Sequence, residues 1–144
     1  MTEPAQRKIL ILVVDDVEDN RDIYAQFLAF KGFQVALASD GYEAFDKAYQ
    51  LQPDLIVMDL SLPGMDGWEA TRKIKRHEKT KHIPVMALTA HAHEGVAEGA
   101  REAGCDGFVT KPCAPDELAK SIMQMLRDKE PGTQKQAAGK VGTR

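Results

Sequence analysis

The stretch that most constrains the fold is a short apolar run that ends in a carboxylate, Leu55–Asp59. Four consecutive apolar residues are followed by Asp59 and then by a turn sequence at 60–67 that contains a proline and two glycines. A run of this length between turn residues predicts a strand buried on both faces, which is typical of parallel sheets. Asp59 would then lie at the carboxyl end of the strand, where open α/β sheets bind their ligands.

Three other apolar runs, at residues 9–14, 85–88 and 107–110, also lead directly into polar side chains. An isolated charge at a buried strand end costs free energy, so these groups are expected to lie together near Asp59. Three carboxylates, a hydroxyl and an ammonium group at one sheet edge predict a phosphoryl site with a metal. The residues that would join Asp59 there are Asp15, Asp16, Thr89 and Lys111.

The remaining pattern alternates strands with helices along the whole chain. Such alternation predicts an α/β fold, a doubly wound five-stranded parallel sheet with right-handed crossovers and five helices on its two faces. The predicted strands are 8–14, 35–38, 55–59, 83–88 and 107–110. The predicted helices are 18–30, 40–51, 67–78, 94–103 and one that begins at 115. Gly95 and Gly99 are expected to weaken the fourth helix.

Length and composition are those of a single globular domain. The chain has 144 residues, of which 43% are hydrophobic and 28% charged, as in ordinary soluble proteins. We expect a flexible N-terminus at 1–7, one folded domain at 8–128 and a disordered tail at 129–144. No apolar stretch is long enough to cross a membrane and the N-terminus lacks a signal-peptide pattern. The sequence therefore predicts a cytoplasmic protein without membrane insertion.

The charge of the folded part argues against one class of partner. The net charge is −3, and residues 129–144 hold four basic residues and one acidic residue, so residues 1–128 carry −6. Direct binding to nucleic acid needs a basic face. We therefore expect no direct nucleic-acid partner.

Four sequence elements, each at the end of a predicted strand, occur in one order: Asp15-Asp16, Asp59, Thr89 and Lys111-Pro112. In this respect the chain resembles the receiver domain of bacterial two-component response regulators, over roughly residues 8–127. The resemblance implies a flavodoxin-like receiver with strand order 2-1-3-4-5. Since no output domain follows residue 128, we expect a stand-alone, chemotaxis-regulator-like receiver. A receiver excised from a larger regulator is the alternative left open.

The resemblance also implies a phosphoacceptor and a metal site. Asp59 would accept a phosphoryl group as an aspartyl phosphate, with Mg²⁺ (or Mn²⁺) between the negative charges of acceptor and donor. By resemblance, Asp16 and Asp59 are direct metal ligands, Asp15 acts largely through water, and Ser61 supplies its backbone carbonyl.

Further residues of the family pattern bind the phosphoryl group or respond to it. The resemblance implies that Lys111 and the Thr89 hydroxyl contact phosphoryl oxygens and that Phe108 moves between exposed and buried positions. It also implies a cis bond before Pro112, which would aim the lysine into the site.

Partners and the lifetime of the phosphorylated state follow from the same resemblance. Ser61 and His91, each two residues past a key position, would tune the dephosphorylation rate. A histidine kinase or histidine phosphotransfer protein would dock beside the first helix and donate the phosphoryl group. A downstream protein partner would bind the surface formed by the fourth helix, fifth strand and fifth helix. The chain would thus be a signalling receiver that catalyses only its own phosphoryl transfer and dephosphorylation.

Three other functions are less well supported. A zinc site built from His91, His93, Cys105 and Cys113 is disfavoured, because about six extended residues, roughly 20 Å, would separate the two cysteines. A phosphatase of the haloacid-dehalogenase type needs a second aspartate two residues after its nucleophile, where this chain has Ser61. A docking module that has lost phosphorylation is disfavoured because all the acceptor residues are present.

Overall fold

Five strands alternate with five helices in a single parallel sheet. The computed structural model describes residues 8–60, 66–89, 94–110 and 114–128, without the side chains of 94–97. The strands are β1 Leu10–Val14, β2 Gln34–Ala38, β3 Leu55–Asp59, β4 Val85–Thr89 and β5 Gly107–Thr110. The helices are α1 Glu18–Phe30, α2 Gly41–Leu51, α3 Gly67–Arg76, α4 Glu94–Ala103 and α5 Pro115–Asp128. The strand order β2-β1-β3-β4-β5 confirms the predicted doubly wound topology.

The central strands are buried on both faces, as their apolar sequences predict. Every residue of β3 and β4 is buried, because helices cover both sides of a parallel sheet. β4 begins two residues later than predicted. The Ile83 N–H donates to the Thr80 carbonyl in a turn at 3.0 Å, and Pro84 has no N–H to give to a neighbouring strand.

Alternate strand residues feed two separate hydrophobic cores. On one face Leu12 and Ile56 pack with side chains of α2, α3 and α4. On the other face Ile11 and Leu55 pack with α1 and α5. This alternation has the two-residue period of an extended chain, so β1, β2, β3 and β4 each contribute to both cores.

The helices place only part of their apolar residues in these cores. In α1 Leu28 is fully buried, whereas Phe30 is 83% exposed. In α2 the buried contacts come from Ala44 and Ala48, and the larger Tyr42 is exposed. Small side chains let α2 lie close to the sheet, Phe45 packs against the edge of the core, and Tyr42 and Tyr49 extend outward. None of the helices in the described ranges is long and apolar enough to cross a membrane.

Gly99 lets α4 pack closely against α3. A Cβ atom at this position would lie 2.5 Å from the ring of Trp68, a distance that packed carbon atoms do not reach. The glycine that the sequence marks as a weak point of the helix therefore has a packing role, because no larger residue fits against the indole.

The N-cap of α2 is a capping box with one difference. The Glu43 N–H donates to the Asp40 carboxylate at 2.8 Å, as expected for a capping box. The Glu43 carboxylate accepts from the Ser39 N–H at 2.9 Å instead of from the Asp40 N–H. This backbone hydrogen bond from Ser39, with lesser contributions from Lys47 and the Ser39 hydroxyl, lowers the pKa of Glu43 from its usual value of 4.5.

Candidate functional site

Three carboxylates meet at the carboxyl ends of β1 and β3. One oxygen atom from each of Asp15, Asp16 and Asp59 lies within 4.8 Å of the others. The strands are adjacent and parallel, with Val14 paired to Met58, so the residues that follow them share one sheet edge. Asp15 and Asp59 are only 0% and 2% exposed, while Asp16 is open to solvent. The three carboxylates therefore meet at one sheet edge, as the sequence predicts for them.

The start of α1 orients Asp15. One carboxylate oxygen of Asp15 accepts from the Val17 N–H at 2.9 Å, and the other lies 3.4 Å from the Asn20 amide nitrogen. The Arg21 guanidinium donates to the Asp15 carbonyl at 2.7 Å. Sequence reasoning missed Asn20 and Arg21. The available signal was their position, since a helix that starts right after a strand end brings its first turns back over that end.

Gly67, the first residue of α3, lies against the backbone of Asp59. A Cβ atom at Gly67 would lie 2.2 Å from the Asp59 carbonyl oxygen, and the Gly67 N–H donates to the Leu60 carbonyl at 3.3 Å. Asp66 caps the helix by accepting from the Glu69 N–H at 2.9 Å. The sequence identified Gly67 as a helix start, but not as a residue in backbone contact with the candidate acceptor.

The carboxylate cluster fits a divalent cation. Three like charges this close repel one another, and hard cations such as Mg²⁺ prefer oxygen ligands. Among the residues that the structure describes, this is the one group of three or more acidic, histidine or cysteine side chains that could hold a metal. The arrangement can bind a cation and present the Asp59 carboxylate to a ligand at the same edge.

The described residues give no support to the zinc alternative. Cys105 is buried and lies 4.0 Å from the Thr71 hydroxyl. Burial raises the pKa of its thiol to about 11, whereas zinc binds the thiolate. His91, His93 and Cys113 lie outside the described residues.

Thr89 and Phe108 lie on the strands beyond Asp59. Asp59 pairs with Leu88, which places Thr89 one residue further along β4, and Thr89 is only 3% exposed. Phe108 pairs with Ala87 and is 36% exposed. Ala87 packs in the core on the α4 side. Because strand residues alternate in direction, Thr89 and Phe108 face that same side.

Four other predicted site residues cannot be placed. Ser61, His91, Lys111 and Pro112 lie outside the described residues. Their predicted roles therefore remain as the resemblance states them.

Comparisons with known proteins agree with this geometry. The family model described as "Response regulator receiver domain" matches residues 11–123. The polar-differentiation response regulator DivK of Brucella ovis is 35% identical over 118 residues, which are 82% of this chain and 96% of DivK.

Solved structures give the same result. Chemotaxis protein CheY4 of Vibrio cholerae matches with a TM-score of 0.79 and 28% identity, covering 82% of this chain and 98% of CheY4. The receiver domain of the sensor histidine kinase PA1611 from Pseudomonas aeruginosa matches with a TM-score of 0.77 and 33% identity, covering 83% and 98%. That structure has a magnesium ion coordinated in its active-site cleft.

The family match rests on independent observations. The family model spans well over half of the chain, and DivK exceeds 30% identity over nearly its whole length. The sheet order and the acidic pocket agree with both, and the phosphatase alternative is not favoured. The chain belongs to the response regulator receiver domain family, and it is a phosphorylation-dependent signalling switch.

Proposed function

We propose that the chain receives a phosphoryl group on the carboxylate of Asp59. The single observation that carries this proposal is the position of Asp59, nearly buried at the end of β3 and within 4.8 Å of two further carboxylates. A carboxylate can act as a covalent phosphoryl acceptor. Asp15 and Asp16 make such a reaction depend on a cation, because the pocket is too negative to admit a phosphate alone.

The donor in this proposal is a phosphohistidine of a histidine kinase or a histidine phosphotransfer protein. An oxygen of Asp59 attacks the phosphorus atom, and a P–O bond forms as the P–N bond to the donor imidazole breaks. The electron pair of that bond leaves with the imidazole nitrogen, which takes up a proton. Hydrolysis of the aspartyl phosphate by water restores the free carboxylate. Positioning and charge neutralisation supply most of the acceleration in reactions of this kind.

The metal in this proposal is Mg²⁺, with Mn²⁺ as a substitute. Asp16 and Asp59 are its direct ligands, Asp15 acts largely through water, and Ser61 contributes its backbone carbonyl. When bound, the cation neutralises the charge of the pocket and of the phosphoryl oxygens. The Val17 and Asn20 contacts support this arrangement by fixing the direction of the Asp15 carboxylate. The magnesium ion in the related Pseudomonas receiver gives further support.

Phosphorylation changes the surface of α4, β5 and α5 in this proposal. The phosphoryl oxygens accept hydrogen bonds from the Thr89 hydroxyl and from Lys111, which a cis bond before Pro112 directs into the pocket. Thr89 then moves toward the phosphoryl group and leaves room for Phe108 to turn inward. Thr89 and Phe108 face the same side of neighbouring strands, which is the placement that such a linked movement needs. The downstream protein partner binds this altered surface.

Two further features complete the proposal. The donor protein docks beside α1, whose first turns contact Asp15 and whose exposed residues include Ile23. Ser61 and His91 flank the water that attacks the aspartyl phosphate and so set its lifetime. The dephosphorylation rate should therefore change in Ser61 and His91 variants, and an unchanged rate in both would contradict this role.

Intact-mass measurement after incubation with acetyl phosphate and Mg²⁺ tests the main proposal. We expect the wild-type chain to gain one phosphoryl group and Asp59→Asn to gain none. Asp46→Asn, at an exposed position on α2, removes the same charge away from the pocket and should behave as wild type. Modification of Asp59→Asn to the wild-type level would overturn the assignment, as would a wild-type chain that stays unmodified.

A further inference from the structure

An open groove on the outer surface of α3 is lined mostly by basic side chains. It has a volume of about 650 Å³, which is within the usual range for ligand-binding clefts. The arginine and lysine side chains that line it are exposed. The lining residues are Glu69, Arg72, Lys73, Arg76 and His77, and we call this site the α3 groove.

The charge around the α3 groove is opposite to that of the rest of the folded part. The segment 72–81 has six basic residues and one acidic residue, a net of +5, in a stretch, 1–128, that carries −6 overall. The other residues of that stretch therefore carry −11. Such segregation creates a local positive potential on a negative body, which attracts an acidic partner and fixes its orientation.

Only some of these cations are neutralised within the molecule. Lys75 pairs with Asp106 at 2.8 Å, and Lys81 pairs with Glu78 at 3.3 Å. Within the part of the chain that the structure describes, Arg72 and Arg76 have no ion pair. Their planar guanidinium groups are available for two parallel hydrogen bonds to a carboxylate.

Aromatic rings of α2 extend the groove on one side. The His77 ring packs edge-on against Phe45 and Tyr49, with ring centres 5.5 and 5.3 Å apart. The Lys73 ammonium lies 4.7 Å from the centre of the Phe45 ring. Tyr49 remains partly exposed. The site therefore offers apolar ring surface directly beside its positive charge.

A side chain at the end of α2 holds α2 close to the end of α3. The Gln52 side chain donates to the carbonyl of Tyr49 at 3.1 Å and to that of Lys79 at 3.0 Å. These bonds link the end of α2 to the segment that follows α3. The arrangement is therefore formed before a partner arrives, which lowers the entropy cost of binding.

We propose that the α3 groove, with the exposed ring of Tyr49, docks an acidic segment of a partner protein that carries apolar residues among its aspartates and glutamates. The carboxylates of the segment pair with Arg72 and Arg76, and its apolar side chains contact Tyr49 and the stem of Lys73. Arginine and tyrosine are the residue types that contribute most at protein interfaces.

The observations favour an acidic protein segment over nucleic acid. Arg72 and Arg76 are four residues apart, about 6 Å along the helix axis, so the positive region is short. A nucleic-acid strand would continue over the surrounding negative surface and be repelled there. Glu69 also lines the groove and would repel a phosphate or a carboxylate alike, but a peptide can place a backbone N–H there and donate a hydrogen bond to it.

The groove is separate from the acidic pocket. Gly67 at the start of α3 contacts Asp59, whereas the two arginines of the groove lie about 8 and 13 Å further along the helix axis, and none of the three pocket carboxylates lines the groove. A bound segment would therefore leave the pocket open. The proposal does not depend on phosphorylation of Asp59.

Fluorescence anisotropy with a labelled peptide of glutamate, aspartate and leucine tests this site on the full chain. We expect the double substitution R72E/R76E to weaken binding by about tenfold or more. The matched control K8E/K31E makes the same change in net charge at exposed positions before β1 and after α1. It should bind within about twofold of wild type. Tyr49→Ala should weaken binding by a few-fold, because it removes only ring contacts.

Four results would overturn the proposal. The first two are absence of peptide binding at low salt and an equal loss of binding affinity in both double variants. The third is equally tight binding of a single-stranded DNA of the same charge. The fourth is self-association of the wild type that R72E/R76E abolishes. The last result would make a second copy of this chain the occupant. Circular dichroism and labelling by acetyl phosphate show whether R72E/R76E still folds, and both should match wild type.

Discussion

The acidic pocket and the α3 groove are two charged regions of opposite sign that differ mainly in burial. In the pocket Asp15 and Asp59 are almost fully buried and lie within 4.8 Å of Asp16. In the groove, Arg72 and Arg76 are spread along an exposed helix face. Buried like charges repel strongly because little solvent screens them, whereas exposed charges are screened. Repulsion among the carboxylates therefore destabilises the pocket until a cation binds, whereas repulsion among the exposed cations of the groove is weak.

The largest expected difference between the two regions concerns shape. Gly67→Ala would place a methyl group 2.2 Å from the Asp59 carbonyl oxygen, and a backbone atom cannot move aside easily. We expect a loss of about 3 kcal/mol in the free energy of unfolding, measured by urea denaturation. Arg76→Glu in the groove should change it by less than about 0.5 kcal/mol. Equal losses of unfolding free energy in Gly67→Ala and Arg76→Glu would contradict the expected difference in packing between the two regions.

The second difference concerns cations. Mg²⁺ at a hundred times its dissociation constant should stabilise the fold by about 2.7 kcal/mol, because it binds the folded pocket alone. Thermal melts with and without EDTA measure this effect. Asp15→Asn should reduce the stabilisation, while R72E/R76E should retain it. If Mg²⁺ stabilised neither the wild type nor the groove variant, the pocket would not be the metal site.

The third difference concerns repulsion within the pocket. In metal-free buffer, Asp59→Asn should raise the free energy of unfolding by about 2 kcal/mol, because it removes one of three clustered negative charges. The control is Asp46→Asn on the surface of α2, which should have almost no effect. Denaturant melts at low salt make the comparison. A destabilised Asp59→Asn variant would show that hydrogen bonds of the charged carboxylate outweigh repulsion.

The smallest effect is expected at Glu43, a partly exposed carboxylate whose burial is intermediate between that of the pocket and that of the groove. Its pKa is lowered in the folded state, chiefly by the Ser39 N–H hydrogen bond. A lowered folded pKa adds stability above the unfolded value near 4.5, and that stability is lost as the pH falls through the folded pKa.

Glu43→Gln should therefore lower stability by a few tenths of a kcal/mol at pH 7, since the group is partly exposed to solvent. The difference from wild type should disappear as the pH falls through the lowered folded pKa of Glu43. Melts across this pH range provide the measurement. A difference that grows on acidification would contradict the sign of the shift.

Sequence patterns were enough to predict the sheet and the pocket. Apolar runs that end in Asp15, Asp59 and Thr89 gave the strands and their polar ends. β1 and β4 each begin two residues later than predicted and β2 one residue earlier; at β4, Pro84 and a turn delay the pairing. The contacts of Asn20, Arg21 and Gly67 were missed, because a pattern shows where a helix starts but not which atoms its first turns meet.

The sequence by itself determined that three carboxylates meet at one edge, because parallel strands joined by right-handed crossovers must bring their carboxyl ends together. Only the tertiary structure decided which helix faces meet. It placed Gly99 against the ring of Trp68 and packed the His77 ring against both Phe45 and Tyr49. These contacts join residues on separate helices, and their geometry depends on how the helices pack over the sheet. No local period in the chain encodes that packing.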